Sequence, residues 1–361
     1  MPVIQFPAAI FQKMKISIII VSLFLVSGLF SCEKKDSLDI DPNEPLFTIP
    51  EGFPEPKYKM ESNPITADGF LLGKKLFFDG RLSRDGTISC AECHSQPYAF
   101  THHSHAVSHG IDDRVGIRNA PGLMNLAWQD KFFWDGGVFD LDLFSIAPIQ
   151  NPNEMDETVT NVIEKLKKDK EYPALFKKAF GTEEVTTQRF LKALSQYMLT
   201  LVTANSKYDQ YKAGKTTFSN DEKEGLRLFT EKGCAGCHPA PLFTDHSFRS
   251  TGLDTGYFRD TLDTGRGRIT EQKEDDFKFK VPTLRNIAYT FPYMHDGRFQ
   301  TLEEVLEHYN SGVVNLPNLD PAFKKNTKLG IQMTPTEKKQ LVAFLNTLTD
   351  EDFLKNKRFS Y

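Results

Sequence analysis

The chain has 361 residues, 39% of them hydrophobic and 25% charged, with a formal net charge of −4. That length gives room for two domains of ordinary size, each able to bury a core. A charge so close to balance leaves no basic footprint and excludes nucleic acid as the expected partner.

Lys13 and Lys15 precede the one strongly apolar run, Ile16 to Phe30. Roughly fifteen apolar residues are short for a transmembrane helix and suit the apolar region of a signal peptide. Leu29-Phe30-Ser31-Cys32 has the look of a bacterial lipoprotein cleavage box, with Phe30 bulkier than the usual residue there, and Met14 offers a second start. Cleavage would leave Cys32 lipidated and anchored. The competing reading is an uncleaved signal anchor. Either one exports the chain, to the periplasm or to the outer membrane. Residues 1–32 are therefore expected to be a lipoprotein signal peptide, and residues 33–60, with their charges and prolines, a flexible tether.

Asp68 to Phe78 carries Phe70, Leu71, Leu72, Leu76 and Phe77 at helical spacing. It leads into Cys90-Ala91-Glu92-Cys93-His94. Val159 to Phe180 and Thr187 to Tyr211 show helical periodicity with Lys and Glu on the outer face. Ser219-Asn220-Asp221 then caps a helix holding Leu226, Leu228 and Phe229, which leads into Cys234-Ala235-Gly236-Cys237-His238. Thr334-Pro335-Thr336-Glu337 opens a last helix through Leu348, with Pro335 suited to its first turn.

The two C-x-x-C-H motifs read as c-type haem attachment. Two thiols form thioethers to the porphyrin vinyls and the next residue turns its imidazole onto the iron. Together they use four of the five cysteines. A zinc half-site is the alternative for one copy and is far weaker for two. Export suits covalent haem, and thirty phenylalanines suit either the apolar cover of haem faces or an ordinary core.

The repeat extends downstream at a constant offset of 161 residues: Leu123 to Trp128 and Phe133-Trp134-Asp135-Gly136 match Leu284 to Tyr289 and Met294-His295-Asp296-Gly297. Two lobes of common design follow, residues 61–215 and 216–361. Alternating apolar runs are few. The expected fold is mainly α, with two cytochrome-c-like haem domains in tandem and few strands.

His94 and His238 are the proximal ligands by position. Function turns on the sixth position of each iron, since a closed haem passes electrons and an open one binds peroxide. Candidates at the first haem are His102, His103, His105 and His109; at the second they are Met294, His295, His308, Tyr309 and Met333. The residues alone leave both choices open, with Met294 the simplest for the second. Glu154 is either an acid/base over an open haem or an exposed glutamate before a helix. Trp134 is either an inter-haem bridge or a core tryptophan.

Taken together, these residues resemble the bacterial dihaem cytochrome c peroxidases and the related methylamine-utilisation dihaem enzyme that matures a tryptophylquinone cofactor. The carriers are Ile88 to His94, Ala99-Phe100-Thr101, Gly116 to Pro121, Phe133 to Gly136, Pro148 to Met155, Cys234 to His238, Met294 to Phe299 and Thr301 to Glu304. The resemblance implies that the His94 haem is peroxidatic, with Glu154 its acid/base, His109 its labile distal histidine and Trp134 the inter-haem tryptophan. It also implies that Cys90, Cys93, Cys234 and Cys237 hold the haems. Asn119, Thr290 and Pro292 match residues that hold a calcium ion between the lobes, the last two through backbone carbonyls.

Two departures stand out. The family's glutamine beside the catalytic glutamate falls at Phe144, and the methionine ligand of the electron-accepting haem aligns with Tyr309, where the cofactor-maturing enzyme also has tyrosine. A tyrosinate would lower that haem's potential. The implied reaction is reduction of hydrogen peroxide to water with electrons from a small cytochrome c or cupredoxin. The alternatives are oxidation of residues of a partner protein, or plain dihaem electron transfer. Dimerisation is common in the resembling family.

Overall fold

The computed structural model describes residues 45–253 and 262–361. The segment 1–44, with the expected signal peptide, Cys32 and the start of the tether, lies outside them. Among the described residues the chain is mainly helical, and its one two-stranded sheet, β1 Phe248–Arg249 antiparallel to β2 Phe279–Lys280, is short. No described helix is long and apolar enough to cross a membrane.

In the first lobe, α1 (Ala67–Phe77) is capped by Thr66, whose hydroxyl accepts the Gly69 N–H. Its buried face packs against the core together with α2 (Val159–Lys168), α3 (Tyr172–Phe180) and α4 (Thr187–Leu199). The expected continuous stretch 159–180 is divided, because Asp169 Oδ1 accepts the N–H groups of Glu171 and Tyr172 and so starts a new helix. The stretch 187–211 is divided as well. Ser206 and Asp209 form a reciprocal capping box that opens α5 (Lys207–Lys212).

The second lobe repeats the plan with α6 (Asn220–Glu231), α7 (Leu302–Glu307) and α8 (Pro335–Asn346). In each lobe the helix before the haem motif crosses a later helix at a glycine. A Cβ on Gly73 would lie 1.9 Å from Ala193 O in α4, and one on Gly225 would lie 2.0 Å from Gln340 O in α8. These contacts need bare backbone, which is why the matching places hold glycine. Gly225→Ala is expected to destabilise the second lobe by about 1–3 kcal/mol through overpacking; an unchanged denaturant midpoint would count against this.

The sequence repeat returns as local pseudo-symmetry. Phe133 and Met294 both have positive φ (63° and 73°), as do Gly136 and Gly297 (68° and 67°). Phe132 N bonds Val138 O at 2.8 Å and Tyr293 N bonds Phe299 O at 2.7 Å. The two copies also join reciprocally: Lys280 N donates to Trp134 O at 2.7 Å, and Asn119 N donates to His295 O at 2.7 Å. Asn119 pairs with Lys280, and Trp134 with His295, at the 161-residue offset.

Buried apolar residues form one cluster per lobe, with a small third group at Val313, Leu319 and Phe323. The linear boundaries need three corrections. Residues 45–60, read as tether, lie on the first core: Trp128 Nε1 donates to Pro54 O at 2.7 Å, Phe47 stacks on Trp128, and Tyr58 donates to Asp142. Tyr208, placed in the first lobe, belongs to the second core. The C-terminal tail crosses back, with Phe353, Leu354 and Phe359 in the first core, tied by Gln96 Nε2 to Phe353 O and by Tyr197 OH to Phe359 O. Apolar side chains at 353–359 gain more by entering a formed core than by staying exposed.

Candidate active site

Cys90–Cys93 forms one helical turn, capped when His94 N bonds Cys90 O at 2.9 Å. Cys234–Gly236 is the tighter equivalent, with His238 N on Cys234 O at 3.0 Å. Five residues per motif thus bring both thiols and the imidazole to one cavity wall. All four thiols are free. Burial pushes Cys90 up to about 12 and Cys93 and Cys234 up to about 11. Among the described residues no group of three or more His, Cys, Asp or Glu is arranged for a metal ion, short of the four ligands a structural zinc site takes.

His94 Nδ1 lies 2.9 Å from Phe100 O, and His238 Nδ1 lies 3.1 Å from Phe243 O. A carbonyl only accepts, so each Nδ1 carries the proton and each Nε2 keeps its lone pair for a metal. Burial lowers His94 to about 4 and lowers His238, while backbone oxygens at Pro121 and Pro282 oppose the shift. These two prolines are again 161 residues apart, a signal in the repeat that sequence reasoning left unused. Buried thiol pairs beside neutral imidazoles with free Nε2 atoms fit covalent haem at both motifs.

The first cavity is lined by Cys90, Cys93, His94, Ser108, His109, Phe144 and Glu154, with Phe77, Leu123, Met155 and Met198 supplying apolar wall. Residues far apart in sequence therefore meet there. His102, His103 and His105 do not line it. His102 Nδ1 lies 2.9 Å from Ser108 Oγ, and His103 stacks on Tyr98 at 3.7 Å. His109 is exposed on one side, and its Nδ1 is in hydrogen-bond contact with Asp113 Oδ1. Phe144 stacks on Phe133 at 4.7 Å. Burial raises the Glu154 carboxyl above its ordinary 4.5, and a hydrogen bond from Asn151 at 2.6 Å acts against the rise. Asn151 sits inside a motif read from sequence, yet its contact with Glu154 went unnoticed.

The second cavity is lined by Cys234, Cys237, His238 and Tyr309, with Met294 and His295 nearby on its wall. His308 and Met333 are not among its lining residues; His308 Nε2 is turned to Thr251 O at 3.0 Å. Tyr309 stands in a π-helical turn, His308–Gly312, that continues α7. Such turns recur at functional sites because they re-aim one side chain. Burial drives the Tyr309 phenol above its ordinary value, so ionising it needs a compensating positive charge.

The same cavity reaches the seam between the lobes, where Trp134, Asn119, Thr290 and Pro292 line it. Trp134 Nε1 donates to Asn119 O at 2.9 Å, while Lys280 N holds the Trp134 carbonyl. Asn119 Nδ2 donates to Ala106 O at 3.1 Å, which leaves its oxygen as the free end.

Residues 67–217 match the model of the di-haem cytochrome c peroxidases. The chain is 38% identical over 316 residues to the methylamine utilization protein MauG of Methylorubrum extorquens, covering 84% of each. The chain belongs to the di-haem cytochrome c peroxidase family. It is equally close to the cytochrome c551 peroxidase of Nitrosomonas europaea, at 38% over 289 residues, covering 80% of this chain and 82% of that protein. Among solved structures, a MauG-like protein associated with microbial copper homeostasis superimposes with a TM-score of 0.77 at 31% identity, covering 86% of this chain and 97% of that one. Membership brings two c-type haems and oxidoreductase chemistry.

Proposed function

We propose that this di-haem protein is an exported peroxidase that reduces hydrogen peroxide to water with electrons from a small redox protein, a cytochrome c or a cupredoxin. The observation that carries the reading is Glu154, a carboxyl of raised pKa on the wall of the cavity that holds Cys90, Cys93 and His94. The haems, when bound, supply one-electron redox chemistry and a place for peroxide to bind.

Cys90 and Cys93, and Cys234 and Cys237, anchor the two groups, while His94 and His238 ligate them through Nε2. Tyr309 would be a further ligand to the second group, and His109, hydrogen-bonded to Asp113, would stand on the wall beside the first. Glu154 takes the proton from the near oxygen of peroxide and returns it to the far oxygen as the O–O bond breaks. Two electrons from the donor and two protons from solvent complete two waters, and the carboxyl ends as it began. Trp134, clamped between Asn119 and Lys280 on the wall of the second cavity and next in sequence to Phe133, which stacks on Phe144 of the first, serves as a conduit. Trp134→Phe is expected to slow turnover about tenfold or more while both haem spectra stay unchanged; equal turnover would remove Trp134 from this role.

Asn119, Thr290 and Pro292, which line one cavity, would hold a calcium ion through oxygen atoms, the donor type calcium prefers. Chelation is expected to lower activity and melting temperature, and calcium to restore both. Export follows from the Ile16 to Phe30 run, with Cys32 as lipid anchor; labelling with a radioactive fatty acid that is lost in Cys32→Ser tests it.

The overall test is peroxide-dependent oxidation of a reduced small cytochrome by the holoprotein. No rate above background, with or without prior half-reduction, overturns the proposal. Tyr309 favours a second reading, oxidation of residues on a partner protein. Peroxide consumption by the fully oxidised protein, without any half-reduction, would support it.

A further inference from the structure

We propose that Asn151 is the positioning residue of Glu154, holding one carboxyl oxygen so that the other is presented to peroxide in the first cavity. The inference rests on the reading of Glu154 as the proton-transfer group.

Asn151 Nδ2 donates to Glu154 Oε1 at 2.6 Å. The orientation of this amide is set from its other end, because Asn151 Oδ1 accepts the Asn153 N–H at 3.0 Å. An amide oxygen only accepts, so the NH₂ group has to face the carboxyl. The backbone repeats the grip: Asn151 O accepts from Glu154 N and from Asp156 N, each at 3.0 Å, closing the turn around Pro152. Glu154 O in turn accepts the Ile111 N–H at 2.8 Å, which ties this turn to the loop carrying His109. Among the described residues Oε2 accepts no hydrogen bond, and it is the oxygen left for substrate.

Phe144, on the wall of the first cavity, has no hydrogen-bond donor in its side chain. No residue lining the first cavity carries an amide. The amide that steadies Glu154 comes from behind it instead, from a side chain outside the cavity wall. Asn151 therefore acts through Glu154 and not on peroxide. Its donated hydrogen bond favours the carboxylate form and so opposes the effect of burial.

The test uses the holoprotein with both haems and four variants: Asn151→Leu, Asn151→Asp, Glu154→Gln, and the double variant Asn151→Leu/Glu154→Gln. One readout is infrared titration of the protonated Glu154 carboxyl band, assigned by its loss in Glu154→Gln. The other is kcat and KM for peroxide across pH. Asn151→Leu should move the band midpoint upward, move the acid limb of activity with it, and lower kcat/KM at neutral pH by about tenfold. Asn151→Asp keeps the acceptor for Asn153 N–H, so the turn is retained, and its negative charge should push the midpoint higher still. In the Glu154→Gln background, Asn151→Leu should cost nothing further. A midpoint unmoved in both Asn151 single variants overturns the proposal, as does an equal cost of Asn151→Leu with and without Glu154. Wild-type turnover by Glu154→Gln would instead sink the proton-transfer reading, while a shifted band midpoint would still establish the contact.

Discussion

Glu154→Gln is expected to lower kcat/KM for peroxide by about 10²–10⁴-fold, the usual contribution of a positioned acid/base group. The amide keeps the size and the hydrogen-bonding reach of the carboxyl but takes no proton. Nothing in the cavity replaces it: Phe144 has no titratable group, and His109 is half-exposed and paired with Asp113. The pH dependence carries the same signature. Burial holds the carboxyl above its ordinary 4.5, so the carboxylate needed to accept peroxide's proton is lost as pH falls through that raised value. The acid limb of wild-type activity should accordingly lie above 4.5 and vanish in Glu154→Gln. Loss of less than about twofold would exclude the role.

Tyr309→Met is expected to raise the reduction potential of the second haem by about 0.1 V or more, within the ~0.8 V that axial ligands span. Tyrosinate is an anionic ligand that favours the oxidised iron, whereas thioether is neutral and favours the reduced one. Burial, with smaller contributions from Cys234 and Cys237, drives the Tyr309 phenol up, so ionising it takes an adjacent positive centre, and the variant should also lose the phenolate signature in magnetic and optical spectra. Tyr309→Phe separates ligand loss from ligand exchange, because it leaves Met294 and His295 on the same wall to compete for the iron. An unchanged potential and spectrum in Tyr309→Met would place the sixth ligand elsewhere.

Much of the helical scaffold was legible beforehand. The helix read at Asp68 to Phe78 is Ala67–Phe77, and the one read from Ser219 is Asn220–Glu231. Both carry strong caps and apolar periodicity. The long periodic stretches 159–180 and 187–211 each conceal a break, because Asp169 and Ser206 can end one helix and begin another without disturbing the apolar pattern. Periodicity reports which face is buried, not whether the backbone is continuous.

By itself the sequence determined the two haem anchors and their duplication. The thiols and imidazole expected to attach and ligate each haem fall within five consecutive residues, and a covalent neighbour cannot be moved by packing. The constant 161-residue offset likewise carried the repeat, since matched turns such as Phe132 to Val138 and Tyr293 to Phe299 close on themselves. Tertiary structure alone decided which distant side chains face each anchor. It brought His109 and Glu154, but not His102, His103 or His105, to the first cavity, and it brought Tyr309, Met294 and His295, but not His308 or Met333, to the second. It also returned the C-terminal tail to the first core and aimed the Asn151 amide at Glu154. Those outcomes depend on how separated segments bury their apolar faces against one another, and no spacing along the chain encodes that.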